Sequence, residues 1–153
     1  MTHLTSKLLQ ALDGKTLATA ESCTGGMIGQ MITAVPGSSA VYKGGIISYT
    51  NEIKHKLLGV DETLLETEGA VSASVAKAMA EGARRVLSTD IAVSVTGLAG
   101  PGGDDRGNSV GTVYIGYADE RGAEVFSFLF AGDRDAVRTQ AADAALALVL
   151  SKN

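Results

Sequence analysis

Apolar positions recur along this chain with two periods, and each change of period marks a new element. Leu4, Leu8 and Leu12 share one stripe and predict a helix over 4–12, stopped by Asp13-Gly14-Lys15. Residues 16–20 read as a short strand. Met27, Ile28, Met31, Ile32 and Val35 predict an amphipathic helix over about 25–35, ended by Pro36-Gly37-Ser38-Ser39. Residues 44–49 read as a second strand and 51–58 as a short helix closed by Gly59. Asp61 opens a further short turn. Ser72 is placed to cap a longer helix over 73–87, with Val75, Met79, Ala83 and Val86 as its apolar stripe. Residues 91–95 form a clear strand. Residues 111–118 and 124–130 are two more, and Asp119-Glu120-Arg121-Gly122 between them predicts a hairpin. A last helix spans about 133–150, with Val137, Ala141, Ala144 and Leu148 facing inward.

Helices interleaved with early strands, then a hairpin and a closing helix, predict an α/β fold. The expected architecture is a three-layer α/β/α sandwich around a mixed, mostly parallel five-stranded sheet. With 153 residues and no internal repeat, linker or low-complexity tract, the expectation is one domain over 1–153.

Composition narrows the function classes. Hydrophobic residues make up 45% and charged residues 20%, a globular balance. A formal net charge of -4 weighs against wrapping a nucleic-acid backbone, and the absence of tryptophan leaves little for stacking bases. Cys23 is the one cysteine, so no internal disulfide forms. His3 and His55 are far apart, and no cluster has zinc spacing, so no metal and no cofactor are expected. The N-terminal segment Met1-Thr2-His3-Leu4-Thr5-Ser6-Lys7 lacks a signal peptide's long apolar region. No apolar run is long enough to cross a bilayer, and the expected location is the cytoplasm.

Candidate chemistry gathers at strand ends. Glu21-Ser22-Cys23-Thr24-Gly25-Gly26 joins the first strand to the second helix. A hydroxyl there sits at the positive end of a helix, beside N–H groups without intrahelical partners. Ser22 can attack a carbonyl whose oxyanion those N–H groups hold, or it can simply cap the helix, a common job for serine. Tyr49 ends the second strand and Lys54 lies near the start of the helix after it. The carboxyl ends of parallel strands share one edge, so Ser22, Tyr49 and Lys54 can meet there. Burial and a helix N-terminus both favour a neutral lysine, which can take a serine proton, with Tyr49 relaying it or orienting the amine. The competing reading of Lys54 is a solvated helix lysine. His55 is a rival base, but as the neighbour of Lys54 on a helix it points about 100° away. Cys23 is a rival nucleophile without a histidine to serve it.

Thr96-Gly97-Leu98-Ala99-Gly100-Pro101-Gly102-Gly103 follows the clearest strand and should line the same edge. Its N–H groups can cradle phosphate, although it matches neither the phosphate loop nor GxGxxG; a flexible crossover is the alternative. Arg134 and Arg138, one turn apart at the start of the last helix, suit a phosphate or carboxylate, or else surface pairs with Asp133 or Asp135.

Together, five ordered segments resemble the CinA C-terminal domain family. They are Glu21 to Gly26, Gly44 to Lys54, Gly69-Ala70-Val71-Ser72, Thr96 to Pro101 and Gly111-Thr112-Val113-Tyr114, covering roughly residues 5–150. The resemblance implies a nicotinamide-nucleotide amidase, which converts nicotinamide mononucleotide to nicotinic acid mononucleotide and ammonia in pyridine nucleotide salvage. It implies Ser22 as nucleophile with Lys54 and Tyr49 as partners, and roles for Thr96 and one arginine of the last helix, for which Arg138 is chosen. On this reading Thr24, Gly25 and Gly26 hold the oxyanion, and Thr96, Gly97, Gly100 and Arg138 bind the nucleotide. The resemblance also implies the same three-layer fold, a homo-oligomer and no metal; the expectation of no nucleic-acid and no membrane partner comes from the charge and hydropathy above. Longer members carry an N-terminal molybdopterin-binding-like domain, whose activity is not expected here. One departure is that Asn108-Ser109 stand where Lys-Pro is frequent, which bears on substrate contacts from that loop. The runner-up reading is a nucleotide-binding module without turnover, and a weaker one is a DNA-associated accessory protein.

Overall fold

A computed structural model describes residues 2–153; Met1, part of the N-terminal reading above, lies outside the described residues. The elements run α1 (Thr2–Ala11), β1 (Leu17–Glu21), α2 (Met27–Thr33), a 3₁₀ turn at Ser38–Ala40, β2 (Tyr42–Ile47), α3 (Asn51–Leu58), α4 (Glu62–Glu68), α5 (Ala73–Leu87), β3 (Ile91–Gly97), β4 (Thr112–Asp119), β5 (Gly122–Leu129) and α6 (Arg134–Ser151). The sheet order is β2-β1-β3-β4-β5. β1 pairs parallel with β2 and with β3, whereas β4 is antiparallel to both β3 and β5. Four of the five strands therefore point the same way, as the mixed, mostly parallel sheet expected from sequence requires.

Alternation along the central strands decides which helices cover which face. Leu17, Ile91, Val93 and Val95 point to one side, into a core with Leu8 and Leu12 of α1, Ile28 and Ile32 of α2, and Val137, Ala141 and Leu146 of α6. Ala18, Ala20 and Ala92 point to the other, toward Leu58 and Leu65 and toward Val75, Met79 and Ala83 of α5. The second set is small, so α5 lies close on the sheet. Ser94 Oγ donates to the Ala76 carbonyl at 2.6 Å, and a Cβ on Gly116 would meet that same carbonyl oxygen at 2.5 Å. Gly82 lets α5 approach the end of α3, where a Cβ would overlap the Leu58 carbonyl.

Several boundaries differ from the sequence reading. The second strand starts at Tyr42, two residues early: Tyr42 already pairs with Leu17 of β1, and its Oη bonds Thr19 Oγ1 at 2.6 Å. It ends at Ile47, so Tyr49 lies beyond it. The second helix starts at Met27, since Gly26 holds a left-handed φ of 111° that no helix continues. Val86 of the predicted α5 stripe is exposed, and Gly82 takes the inward place. On α6 the inner face centres on Ala142, Ala145 and Val149, with Ala144 and Leu148 only partly buried.

Candidate active site

The carboxyl ends of β1 and β3 lie side by side, and the chain turns sharply as it leaves β1. The Ser22 N–H donates to the Val95 carbonyl at 3.0 Å, extending the β1–β3 ladder by one residue, and the Ser22 carbonyl accepts from Gly25 N–H at 3.1 Å. Its backbone is thus pinned on both sides. Gly25 and Gly26, with φ of 60° and 111°, close the turn in the left-handed region.

Lys54 reaches this turn from α3. Thr50 caps α3 by accepting from Ile53 N–H, and Lys54 stands on its inner face, 1% exposed. Its Nζ lies 3.0 Å from Ser22 Oγ, 2.9 Å from the Ser48 carbonyl and 3.2 Å from the Tyr49 carbonyl. All three partners are uncharged oxygens. Burial accordingly lowers its pKa from the usual lysine value to about 8. A neutral amine has two N–H bonds and one lone pair. With the two carbonyls taking the N–H bonds, the lone pair is left to accept the Ser22 hydroxyl proton.

The rivals for both roles are disposed of by their surroundings. Cys23 is buried, and desolvation raises its thiol to about 11, so it is protonated at neutral pH. His55 lies on the outer side of α3, with Nδ1 2.7 Å from the Val60 carbonyl and Nε2 3.0 Å from Glu62.

A cavity of about 320 Å³ opens beside this pair. Ser22, Cys23, Lys54 and Tyr49 form one wall, Ala70 and Val71 another, and Thr96, Gly97, Leu98, Ala99, Gly100 and Gly102 a third, with Arg134 at the side. Thr96 is buried and donates to the Ala70 carbonyl at 2.8 Å, which ties the β3 end to the segment before α5. The glycine loop is anchored. Arg106 donates to the Thr67 carbonyl at 2.8 Å and also to that of Glu66, and Asp104 accepts from the N–H groups of Arg106 and Asn108. Asn108 at the divergent position bonds Asp104 and the Val71 carbonyl, so its side chain serves the loop itself.

Three expected placements are revised. Tyr49 is 58% exposed and orients Lys54 through its main-chain carbonyl, while its hydroxyl accepts from Arg134 at 3.3 Å, so it is not placed as a proton relay. Arg138 does not line the cavity: its guanidinium donates to the Cys23 and Thr24 carbonyls at 2.9 and 3.3 Å, behind the turn. Arg134 is the arginine that lines it, held by the Gly100 carbonyl at 2.6 Å. Thr24, Gly25 and Gly26 also lie off the cavity. The Thr24 hydroxyl and the Gly26 N–H bond the Glu21 carboxylate, and the Gly25 N–H bonds the Ser22 carbonyl. Glu21 was given no role from sequence. The available signal was a carboxylate just ahead of a helix start, where orphan N–H groups favour an acid.

The profile of the CinA C-terminal domain matches residues 1–152. The chain belongs to the CinA C-terminal domain family. A CinA-like protein of Geobacter sulfurreducens is 56% identical over 133 residues, which are 87% of this chain and 32% of that protein. The chain thus spans about a third of the length of such curated relatives. The competence damage-inducible protein A of Klebsiella pneumoniae superposes with a TM-score of 0.97 at 34% identity, covering 99% of this chain and 95% of the other. A CinA superfamily protein of Escherichia coli superposes with a TM-score of 0.97 at 35% identity, covering 99% and 90%. Among the described residues, no helix is long and apolar enough to cross a membrane, and no group of three or more His, Cys, Asp or Glu side chains is arranged to hold a metal.

Proposed function

We propose that this CinA domain is a serine amidohydrolase that deamidates nicotinamide mononucleotide to nicotinic acid mononucleotide. The observation that carries the reading is the buried Lys54 amine, 3.0 Å from Ser22 Oγ and held by two carbonyls. Neutral Lys54 takes the Ser22 proton as Oγ bonds the carboxamide carbon. The Cys23 N–H, next to the nucleophile and on the cavity wall, meets the oxyanion, since the Gly25 and Gly26 N–H groups are engaged elsewhere. Lys54 then passes its proton to the amide nitrogen, the C–N bond breaks and ammonia leaves. Water attacks the resulting ester, gives its proton to Lys54, and the carboxylate departs as Ser22 regains its hydrogen.

Arg134 and the glycine loop supply a cation and main-chain N–H groups for the ribose phosphate. The positive charge of the pyridinium ring makes the amide more electrophilic and spares the cavity from needing a metal to polarise it. The test is ammonia release from nicotinamide mononucleotide by the purified protein. Parent activity with a loss of about a thousandfold or more in Ser22→Ala and Lys54→Met is expected. Full activity in Ser22→Ala overturns the assignment, and nucleotide binding without ammonia identifies a module that only binds.

A further inference from the structure

The α2 N-terminus is already occupied by an anion that belongs to the chain. Glu21 is 2% exposed, and its carboxylate accepts four hydrogen bonds. One oxygen takes the Thr24 hydroxyl at 2.7 Å, the Gly26 N–H at 3.1 Å and the Ile28 N–H at 3.0 Å; the other takes the Gly29 N–H at 3.0 Å. These are orphan N–H groups of a helix start, satisfied from the residue immediately before the nucleophile. The same residue acts in a second direction. Its carbonyl accepts from the Ser48 N–H at 2.8 Å and from Ser48 Oγ at 3.4 Å, and the Ser48 carbonyl in turn holds Lys54 Nζ at 2.9 Å.

We propose that Glu21 is a positioning residue, whose carboxylate clamps the start of α2 and so fixes the Ser22 turn against Lys54. Two chains of contacts meet in it, one reaching the nucleophile through Thr24 and Gly26, the other reaching the base through Ser48. It bonds neither Ser22 Oγ nor Lys54 Nζ, and it is not among the residues that line the cavity. A second consequence concerns ligands. The Gly26, Ile28 and Gly29 N–H groups are filled, so a substrate anion is directed away from the α2 N-terminus and toward Arg134 and the glycine loop. A misplacement of the hydroxyl by about 1 Å costs a nucleophile on the order of a hundredfold in rate, which gives the clamp a measurable effect.

This inference rests on Ser22 being an activated nucleophile, and the experiment separates the two claims. The probe is phenylmethanesulfonyl fluoride, followed by intact mass. The Ser22 oxygen bonds sulfur, the S–F bond breaks, fluoride leaves and the hydroxyl proton passes to Lys54. Labelling rates are measured from pH 6 to 10 for the parent, Glu21→Gln and Thr24→Val. Glu21→Gln keeps an oxygen acceptor for three of the four bonds and removes the charge. The expected result is labelling about tenfold to a hundredfold slower, with the midpoint of its pH profile unchanged. Equal rates in parent and Glu21→Gln overturn the clamp while leaving the nucleophile in place. A midpoint moved down at an unchanged plateau rate also overturns it, because Glu21 then acts through its field on Lys54. A parent that is not labelled at Ser22 refutes the nucleophile, and the clamp with it. Should Glu21→Gln fail to fold, Thr24→Val removes a single clamp bond in nearly the same shape. Slowing of several-fold is expected there, and an unchanged rate overturns the proposal.

Discussion

A lysine 1% exposed, with only neutral oxygens for partners, keeps its proton at a cost that grows with the dryness of its surroundings. That cost is why Lys54 titrates near 8 rather than above 10. About a tenth of the molecules then carry the neutral amine at pH 7, and most do by pH 9. Ammonia release from nicotinamide mononucleotide should therefore climb with pH through about 8 and level off, as the base form fills. A rate that falls over that interval contradicts Lys54 as the base. The adjacent thiol behaves oppositely, since the same burial raises Cys23 to about 11. Iodoacetamide should leave Cys23 unmodified at pH 7 in the folded protein and alkylate it readily in urea. Fast alkylation of the folded protein would show an exposed thiolate and return Cys23 to the list of nucleophiles.

At the level of elements, α6 carries two arginines with different work. Arg134 faces the cavity and Arg138 grips the turn through the Cys23 and Thr24 carbonyls. Under the proposed mechanism, Arg134→Ala should raise KM about tenfold with a smaller change in kcat, whereas Arg138→Ala should act mainly on kcat by loosening the Ser22 turn; steady-state kinetics separate them. On the other face, Gly82→Ala places a Cβ against the Leu58 carbonyl. The helix-propensity gain of about 1 kcal/mol is outweighed by the overlap, and urea unfolding should show a net loss of about 1–3 kcal/mol. These cases show what patterning along the chain reveals. Periodicity exposes the order of strands and helices, and the parallel-edge rule brings Ser22 and Lys54 together from sequence alone, because both depend on local sequence and on topology. It could not separate Arg134 from Arg138, which lie a single turn apart, since which one meets the cavity depends on the tilt of α6 over the sheet. Tyr49 was misplaced for a similar reason: the strand ended two residues sooner than its apolar run. Glu21 was passed over because its four partners are main-chain or neighbouring groups, visible only once the turn has closed.

Across the whole molecule, the neighbours Lys54 and Cys23 pull the stability in opposite directions as pH rises. The folded pKa of Lys54, about 8, lies below its ordinary value of 10.5. Between these two values the unfolded chain binds the extra proton, so stability increases with pH, by up to about 3 kcal/mol across the full interval. Cys23 has the reverse sign. Its folded pKa, about 11, lies above the ordinary 9.0, so the unfolded chain loses its proton first and stability falls between these values. Tyr42 and Tyr117, both raised by burial, add to that fall at the alkaline end. The parent should therefore gain stability from pH 8 to 9 and then flatten as the opposing slopes meet. Cys23→Ala should extend the rise toward pH 10, and Lys54→Met should remove the rise and leave only the descent. Urea midpoints taken at half-unit steps of pH check all three curves. A Lys54→Met curve that climbs from pH 8 to 9 as steeply as the parent's would mean that another group causes the rise and that Lys54 in the parent keeps its ordinary pKa, and the base proposed for Ser22 would have to be sought elsewhere.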